Sequence, residues 1–396
     1  MTLAAVLALS AFLSGQTAPA QVGNVYVGTC DSVLLNTQQN EIDVYDPTGI
    51  LVTSFHGPSQ NACLTGMTFD TADHLHVISA RFGTQSWNLF EFDNFGTVLS
   101  SPGPFNSPTS VTHDLVGNLY LGQGNILKID RSGNTSSYAV AGGAVWIDLS
   151  PDQRTMFYTT PNGDIKSYDV VSQTQGADVA VDVVARNVRA LADGTIMFDT
   201  NGTIQHWAPD CAGCLYNKKF TYQIPANADS FTLDPDGLSF WSINTYYDFQ
   251  NQLGLADVYR TNIKTGEALG SFPLLPLSNG RYYSMSMGVN GDGMGSSAIA
   301  SPSVTFPSRT VGTTSNPKKA VLTNIGVVQV VVSKYTITGD FAVSKNGCVK
   351  PVKSGLSCNL MVTFSPTQTG TRTGTLKIFD NAGNSPQTVA LSGVGK

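Results

Sequence analysis

Short apolar runs of four to seven residues, broken by Asp/Gly turns, recur from Gly23 to Gly293. Their order is constant: a run, an Asp/Gly turn, a second run, a loop, a third run closing on an aromatic or aliphatic residue plus Asp, a Gly turn, and a fourth run. The first two runs stand as "GMTFDTADHLHVIS", "SVTHDLVGNLYLG", "VWIDLSPDQRTMFYT", "VRALADGTIMFD" and "SFTLDPDGLSFWS". The third, with its turn, stands as "EIDVYDPTG", "LFEFDNFG", "LKIDRSG" and "IKSYDVVSQTQG", and more loosely as "VYRTNIKTG". Val, Ile, Phe, Tyr and Thr dominate these runs, as pleated strands prefer. Asp and Gly supply local hydrogen bonding and positive φ at the turns. The pattern predicts an all-β chain.

Successive units lie roughly 36 to 45 residues apart until a longer last one, the spacing of four-stranded propeller blades. A lone four-stranded sheet leaves a face exposed, whereas sheets packed radially bury one another. The ends of the array are incomplete in complementary ways. "GNVYVGTC…EIDVYDPTGILVTSF" begins at a second run, and "YYSMSMGVNGDG" is a first run with no successor. Pairing Tyr283–Val289 beside Val25–Gly28 gives one composite blade and a closed ring of six, without the open edges of a linear array. Cys30 and Cys63 then stand where a disulfide locks the composite blade to its neighbour. These units resemble the broad family of NHL-type and related bacterial propellers. They lack the Gly-His and Trp-Asp marks of WD40 blades and the paired glycines of kelch repeats.

The texture changes after "GDGMGSSAIASPS". Alternating positions Val304/Phe306, Ala320/Leu322, Leu360/Val362/Phe364 and Leu376/Ile378 recur between turn clusters at sandwich spacing. "SVTFPSRTVGTTSNPKKAVLTNIG", "ITGDFAV", "CNLMVTFSPTQTGTRTGTLKI" and "VALSGVG" resemble the Hydin-type (ASH-like, "choice-of-anchor D") immunoglobulin-like domain. That resemblance implies a structural or binding module and no catalyst. The expected organisation is a signal peptide at 1–20, a six-bladed β-propeller at 21–292, a linker at 293–302 and the immunoglobulin-like β-sandwich at 303–396.

A chain of 396 residues is too long for one ordinary core, which agrees with two domains. The apolar run Leu3–Leu13 and the small residues of Ala18-Pro19-Ala20 read as an export signal, though no Lys or Arg precedes them. The run is too short to span a bilayer, and no later segment is apolar enough to do so. A net charge of −6 with no basic cluster argues against nucleic acid. Six cysteines fall into local pairs, Cys30 with Cys63, Cys211 with Cys214 and Cys348 with Cys358, as disulfides of an exported chain. "CAGC" admits a redox or half-zinc reading, but no helix pattern follows it and His206 stands alone nearby, so a turn disulfide is preferred.

Chemistry is sparse. The first strands of the blades should begin at one mouth of the channel. A lactonase of the gluconolactonase (senescence-marker) type would place a Glu, two Asn and an Asp there, holding Ca²⁺. Asn187 and Asp229 fall near matching places, and "ADSFTLDPDG" resembles that family's last ligand strand. Tyr282 and Tyr283 stand where its first acid belongs. His113, in "TSVTHD", reads as a packing histidine in an inner strand, with ligand binding at the channel mouth as its other reading. No Ser-His-Asp order with a Gly-x-Ser-x-Gly elbow is present, nor the His/Glu set of streptogramin-lyase propellers. Trp146, Trp207 and Trp241 suit the seams between blades. Trp87, Tyr246 and Tyr247 are expected in loops, where aromatic faces beside Asn and Gln grip sugars or peptides.

The sequence therefore points to a secreted or cell-surface binding or scaffold protein, not an enzyme, whose partner is an extracellular polymer or another protein. The competing reading is a metal-dependent hydrolase or lyase of the lactonase type.

Overall fold

The computed structural model describes residues 23–30, 39–60, 62–70, 74–81, 86–114, 116–150, 153–191, 193–211, 214–224, 228–235, 237–277, 282–290, 298–324, 330–353, 356–380 and 385–396. The expected signal peptide lies outside them. Every regular element among the described residues is a β-strand.

The chain opens with β1 (Val25–Cys30), β2 (Gln39–Tyr45) and β3 (Leu51–Gln60), followed by β4 (Ala62–Phe69), β5 (Leu75–Arg81), β6 (Ser86–Phe92) and β7 (Val98–Ser100). These two antiparallel groups join into one sheet through a single register pair, Cys30 opposite Cys63. Four separate four-stranded antiparallel sheets come next. They are β8 (Ser110–His113), β9 (Leu119–Gln123), β10 (Asn125–Ile129) and β11 (Thr135–Tyr138); then β12 (Ile147–Leu149), β13 (Thr155–Thr159), β14 (Ile165–Asp169) and β15 (Thr174–Ala180). The remaining two are β16 (Ala185–Ala190), β17 (Ile196–Thr200), β18 (Thr203–Pro209) and β19 (Tyr216–Tyr222); and β20 (Ser230–Leu233), β21 (Ser239–Asp248), β22 (Leu253–Asn262) and β23 (Ala268–Pro273).

β24 (Tyr282–Val289) then pairs antiparallel with β1, Val289 opposite Val25 and Met287 opposite Val27. The two incomplete ends found in the sequence thus share a sheet. Apolar packing follows the same join. Val25, Val27 and Tyr45 share one cluster with Trp241, Phe272, Tyr283, Met287 and Val289. The first strands touch in succession, β4 with β8, β8 with β12, β12 with β16, β16 with β20, β20 with β24, and β24 with β4. This is a propeller-like arrangement.

The Asp/Gly turns behave as their chemistry requires. Asp46 Oδ1 accepts the backbone N–H groups of Thr48 and Ile50, and Gly49 closes the turn at φ +91°. Asp93 with Gly96 repeats the arrangement at φ +82°, a conformation glycine adopts without steric cost. Gly122 is needed for a different reason. A Cβ there would meet Val145 O and Ser110 Oγ, each 2.6 Å away, so its absence lets the neighbouring sheet approach.

The C-terminal part is a sandwich. One sheet orders β25 (Ala298–Ala300), β27 (Lys318–Asn324), β30 (Ser357–Phe364) and β29 (Phe341–Asn346). The other orders β26 (Ser303–Thr305), β32 (Gln387–Gly395), β31 (Gly370–Asp380) and β28 (Val332–Ile337). Ala320, Leu322, Leu360, Val362 and Phe364 from one sheet share a core with Val304, Leu376, Ile378, Val389 and Leu391 from the other. The stretch expected as a linker, 293–302, is described from Ala298 onward. Ala298–Ala300 pairs with Leu322–Asn324, so the sandwich takes its first strand from inside that stretch.

Three disulfides join the cysteines as paired in the sequence, Cys30–Cys63, Cys211–Cys214 and Cys348–Cys358. Cys348–Cys358 staples the β29–β30 connection beside the sandwich core. No helix among the described residues is long and apolar enough to cross a membrane.

Candidate functional site

Polar side chains are buried where the first strands gather. Arg189 on β16 donates to Asp148 Oδ1 on β12 at 3.4 Å and to the Thr232 hydroxyl on β20. Asp148 Oδ2 also accepts the Ala190 N–H at 2.8 Å. A guanidinium and a carboxylate, each nearly sealed from solvent, thereby tie three successive sheets together. Such a pair is retained because removing either member strands the other charge. The sequence offered no clue to it, since Asp148 and Arg189 lie 41 positions apart in separate strands.

His113 lies on β8, as expected, and is 4 % exposed. Its Nδ1 is 3.3 Å from the Thr68 hydroxyl on β4, and its Nε2 is buried with no partner among the described residues. Burial pushes its pKa down to about 4, so the ring is neutral at physiological pH. Burial also raises the Asp199 carboxyl to about 6, although its Oδ1 accepts the Asn187 N–H at 2.7 Å.

Asn187 and Asp229 occupy neighbouring elements but have separate tasks. The Asn187 side-chain amide reaches the Ser230 hydroxyl at 3.4 Å, and its Oδ1 is buried without a partner among the described residues. Asp229 Oδ2 accepts the Thr245 N–H at 2.6 Å and the Thr245 hydroxyl at 2.8 Å. Calcium takes six to eight oxygen ligands. This pair offers one amide oxygen and one carboxylate already engaged by a strand. Tyr283, near the expected first acid, is buried and donates to Leu275 O at 2.7 Å. Burial pushes its hydroxyl pKa up, away from anionic coordination. Asn187 and Asp229 by themselves therefore supply fewer oxygens than a Ca²⁺ site needs.

The aromatic residues are placed differently from the sequence expectation. Trp87 is in β6, opposite Ala80, half-buried against the Ile78, Leu89 and Phe105 cluster. Tyr246 and Tyr247 are in β21, opposite Leu255 and Gly254. The segment read as a loop is an extended hairpin. β20 pairs with β21 only as far as Ser230–Ile243, while β21 and β22 continue to Asp248–Leu253. Five further residues carry the hairpin about 17 Å beyond the start of β20. Its polar composition hid it, since no apolar alternation marks "NTYYDFQ". Tyr246 is 47 % exposed, and Phe249 at the turn is 84 % exposed with its ring edge-on to Tyr247.

Trp241 is buried, donates to Asp234 Oδ2 at 2.7 Å and lies under Arg260. Trp146 and Trp207 pack against one buried cluster containing Val188, Ile196 and Phe198. All three serve the interior.

Comparison with known proteins separates the two parts. Residues 294–388 match the family described as "Abnormal spindle-like microcephaly-assoc'd, ASPM-SPD-2-Hydin" (ASH). No curated protein matches the chain. Among solved structures, the Cps50 (Swd1) β-propeller domain of Myceliophteria thermophila is similar at 10 % identity and TM-score 0.43, over 62 % of this chain and 82 % of that one. A functionally unknown protein from Desulfotomaculum acetoxidans is similar at 12 % and 0.42, over 62 % and 84 %. A streptogramin B lyase is similar at 14 % and 0.41, over 64 % and 84 %. Likeness at this level says nothing of activity.

Proposed function

We propose that the chain is an exported, non-enzymatic binding protein. In this reading residues 21–292 are a six-bladed propeller of the NHL-like kind, closed through the β24–β1 pairing, and the ASH-like sandwich presents it. The β21–β22 hairpin is the contact element, and its ligand is an extracellular protein. Three disulfides support an oxidising location.

The observation that carries the reading is Phe249. A phenyl ring 84 % exposed at the end of a braced ten-residue strand is an anchor without a pocket of its own. Bracing comes from Asp229 at the base and from the Gly254–Leu277 bridge, where each N–H meets the other's carbonyl at 2.8 Å. Tyr247 and Phe249 meet at 71°, edge to face. Such a pair does not form the flat platform that stacks a sugar ring, and it suits insertion into an apolar cleft of a protein.

The test is photo-crosslinking from the exposed position Gln250 in the extracellular fraction of the native host. The same crosslinker is placed in otherwise wild-type protein and in Phe249→Ser. A discrete protein adduct in the first that is absent from the second supports the proposal. Equal labelling in both, or retention on purified polysaccharide with no protein adduct, overturns it.

A further inference from the structure

A second cluster lies just past the C-terminal end of β4. Asp70 directly follows β4, His74 directly precedes β5, and Glu91 is on β6. His74 Nδ1 is 2.8 Å from Glu91 Oε1 and 3.9 Å from Asp70 Oδ2. The three ligand atoms all fall within 4.8 Å of one another. The side chains are 32 %, 18 % and 24 % exposed for His74, Asp70 and Glu91, sheltered yet reachable.

We infer that Asp70, His74 and Glu91 form a binding site for one borderline divalent transition-metal ion, of which Zn²⁺ is the type. A tetrahedral ion with bonds of about 2.0–2.2 Å holds its ligand atoms roughly 3.4 Å apart. The present separations straddle that value, so small side-chain movements close the set. Imidazole beside two carboxylates favours zinc-like ions over Ca²⁺ or Mg²⁺, which prefer oxygen alone. Three protein ligands leave a fourth position for water or a partner's side chain.

The outer shell is already in place. Asp70 Oδ1 accepts the His74 N–H at 2.9 Å, and Glu91 Oε2 accepts the Ser100 hydroxyl at 2.7 Å. One oxygen of each carboxylate is thereby fixed by its own element, and the other faces the cluster, Glu91 Oε1 toward His74 and Asp70 Oδ2 toward His76. His76 is 5 % exposed and sets its Nε2 3.2 Å from Asp70 Oδ2. It acts as a positioning residue, donating to the carboxylate that meets the metal. Held outer-shell partners of this kind tune affinity in known metal sites. The inference is independent of the hairpin reading, because it uses no residue of β21 or β22.

The test uses the full chain, free of any affinity tag and stripped of metal, titrated with Zn²⁺ alone by calorimetry and with Co²⁺ by visible absorption. One Zn²⁺ per chain is expected, with a tetrahedral Co²⁺ spectrum displaced by Zn²⁺. His74→Gln and Glu91→Gln should each weaken Zn²⁺ binding about 100-fold or more. His76→Gln should weaken it by about 10- to 100-fold, the range for outer-shell partners. His206→Gln, in another sheet, should leave it unchanged. No Zn²⁺ uptake by the folded wild type, or equal uptake by His74→Gln and Glu91→Gln with unchanged circular dichroism, overturns the site. Binding lost equally in His206→Gln overturns it as well.

Discussion

Asp229 holds Thr245 through a single carboxylate oxygen, which accepts the backbone N–H at 2.6 Å and the hydroxyl at 2.8 Å. One residue before β20 thus fixes the point where β21 leaves the body of its sheet. Asp229→Ala removes the acceptor of both hydrogen bonds and leaves a partly buried N–H unpaired, a loss of about 1–3 kcal/mol. The expected outcome is a lower urea midpoint together with faster amide exchange confined to 244–254. Added Ca²⁺ should shift neither wild type nor variant. A Ca²⁺-dependent midpoint in wild type that Asp229→Ala abolishes would restore the lactonase reading.

Arg189 and Asp148 define a second prediction. Breaking a buried pair costs about 3–5 kcal/mol because the surviving charge has no solvent. Arg189→Met should show a loss of that order in equilibrium denaturation. Adding Asp148→Asn, which keeps an acceptor for the Ala190 N–H, should recover part of it. A double variant as unstable as the sum of the two singles would mean that the charges do not couple.

The disulfides should rank by the length of chain they close. Cys30–Cys63 spans 33 residues and Cys211–Cys214 spans three. Loop-closure entropy assigns about 4 kcal/mol to the first and about 2 kcal/mol to the second. Paired Cys→Ser variants, compared by denaturant midpoint, should fall in that order. The first also marks the sole register pair between β1 and β4, so its loss should increase proteolysis near the junction of the two groups.

Much of this architecture was legible because it is written in local chemistry. Asp46 with Gly49 and Asp93 with Gly96 punctuate the chain, and the apolar runs between them alternate as half-buried strands do. The complementary ends were readable because Val25 begins a run that lacks a predecessor and Val289 ends one that lacks a successor. What stayed hidden was polar and non-local. The β21–β22 extension carries no apolar alternation, so Tyr246 and Tyr247 read as loop. Ala298–Ala300 is too short to register as a strand within a Gly/Ser-rich stretch. Arg189, Asp148 and Thr232 meet only because three sheets converge. Asp70 and His74 flank a turn and Glu91 lies inside a later run, so no local pattern joins them. Their one available signal was the His-x-His spacing of His74 and His76, which points two imidazoles to the same side of a strand.

The last prediction concerns pH. Burial holds His113 at about 4 against an ordinary 6.5, so the fold favours its neutral form. Its contribution is complete above 6.5 and is lost as pH falls from 6.5 toward 4. Asp199 runs the opposite way. Burial raises it to about 6 from 3.8, so the fold favours the protonated form, and that preference is lost as pH rises from 3.8 through 6. Between about pH 4 and 6 the two slopes oppose each other. His113→Gln should therefore become more stable relative to wild type on acidification through this window, and Asp199→Asn less stable. Urea midpoints at half-unit intervals from pH 4 to 7 would reveal the divergence. Curves for the two variants that stay parallel to wild type would mean that neither group titrates inside the fold as its burial requires.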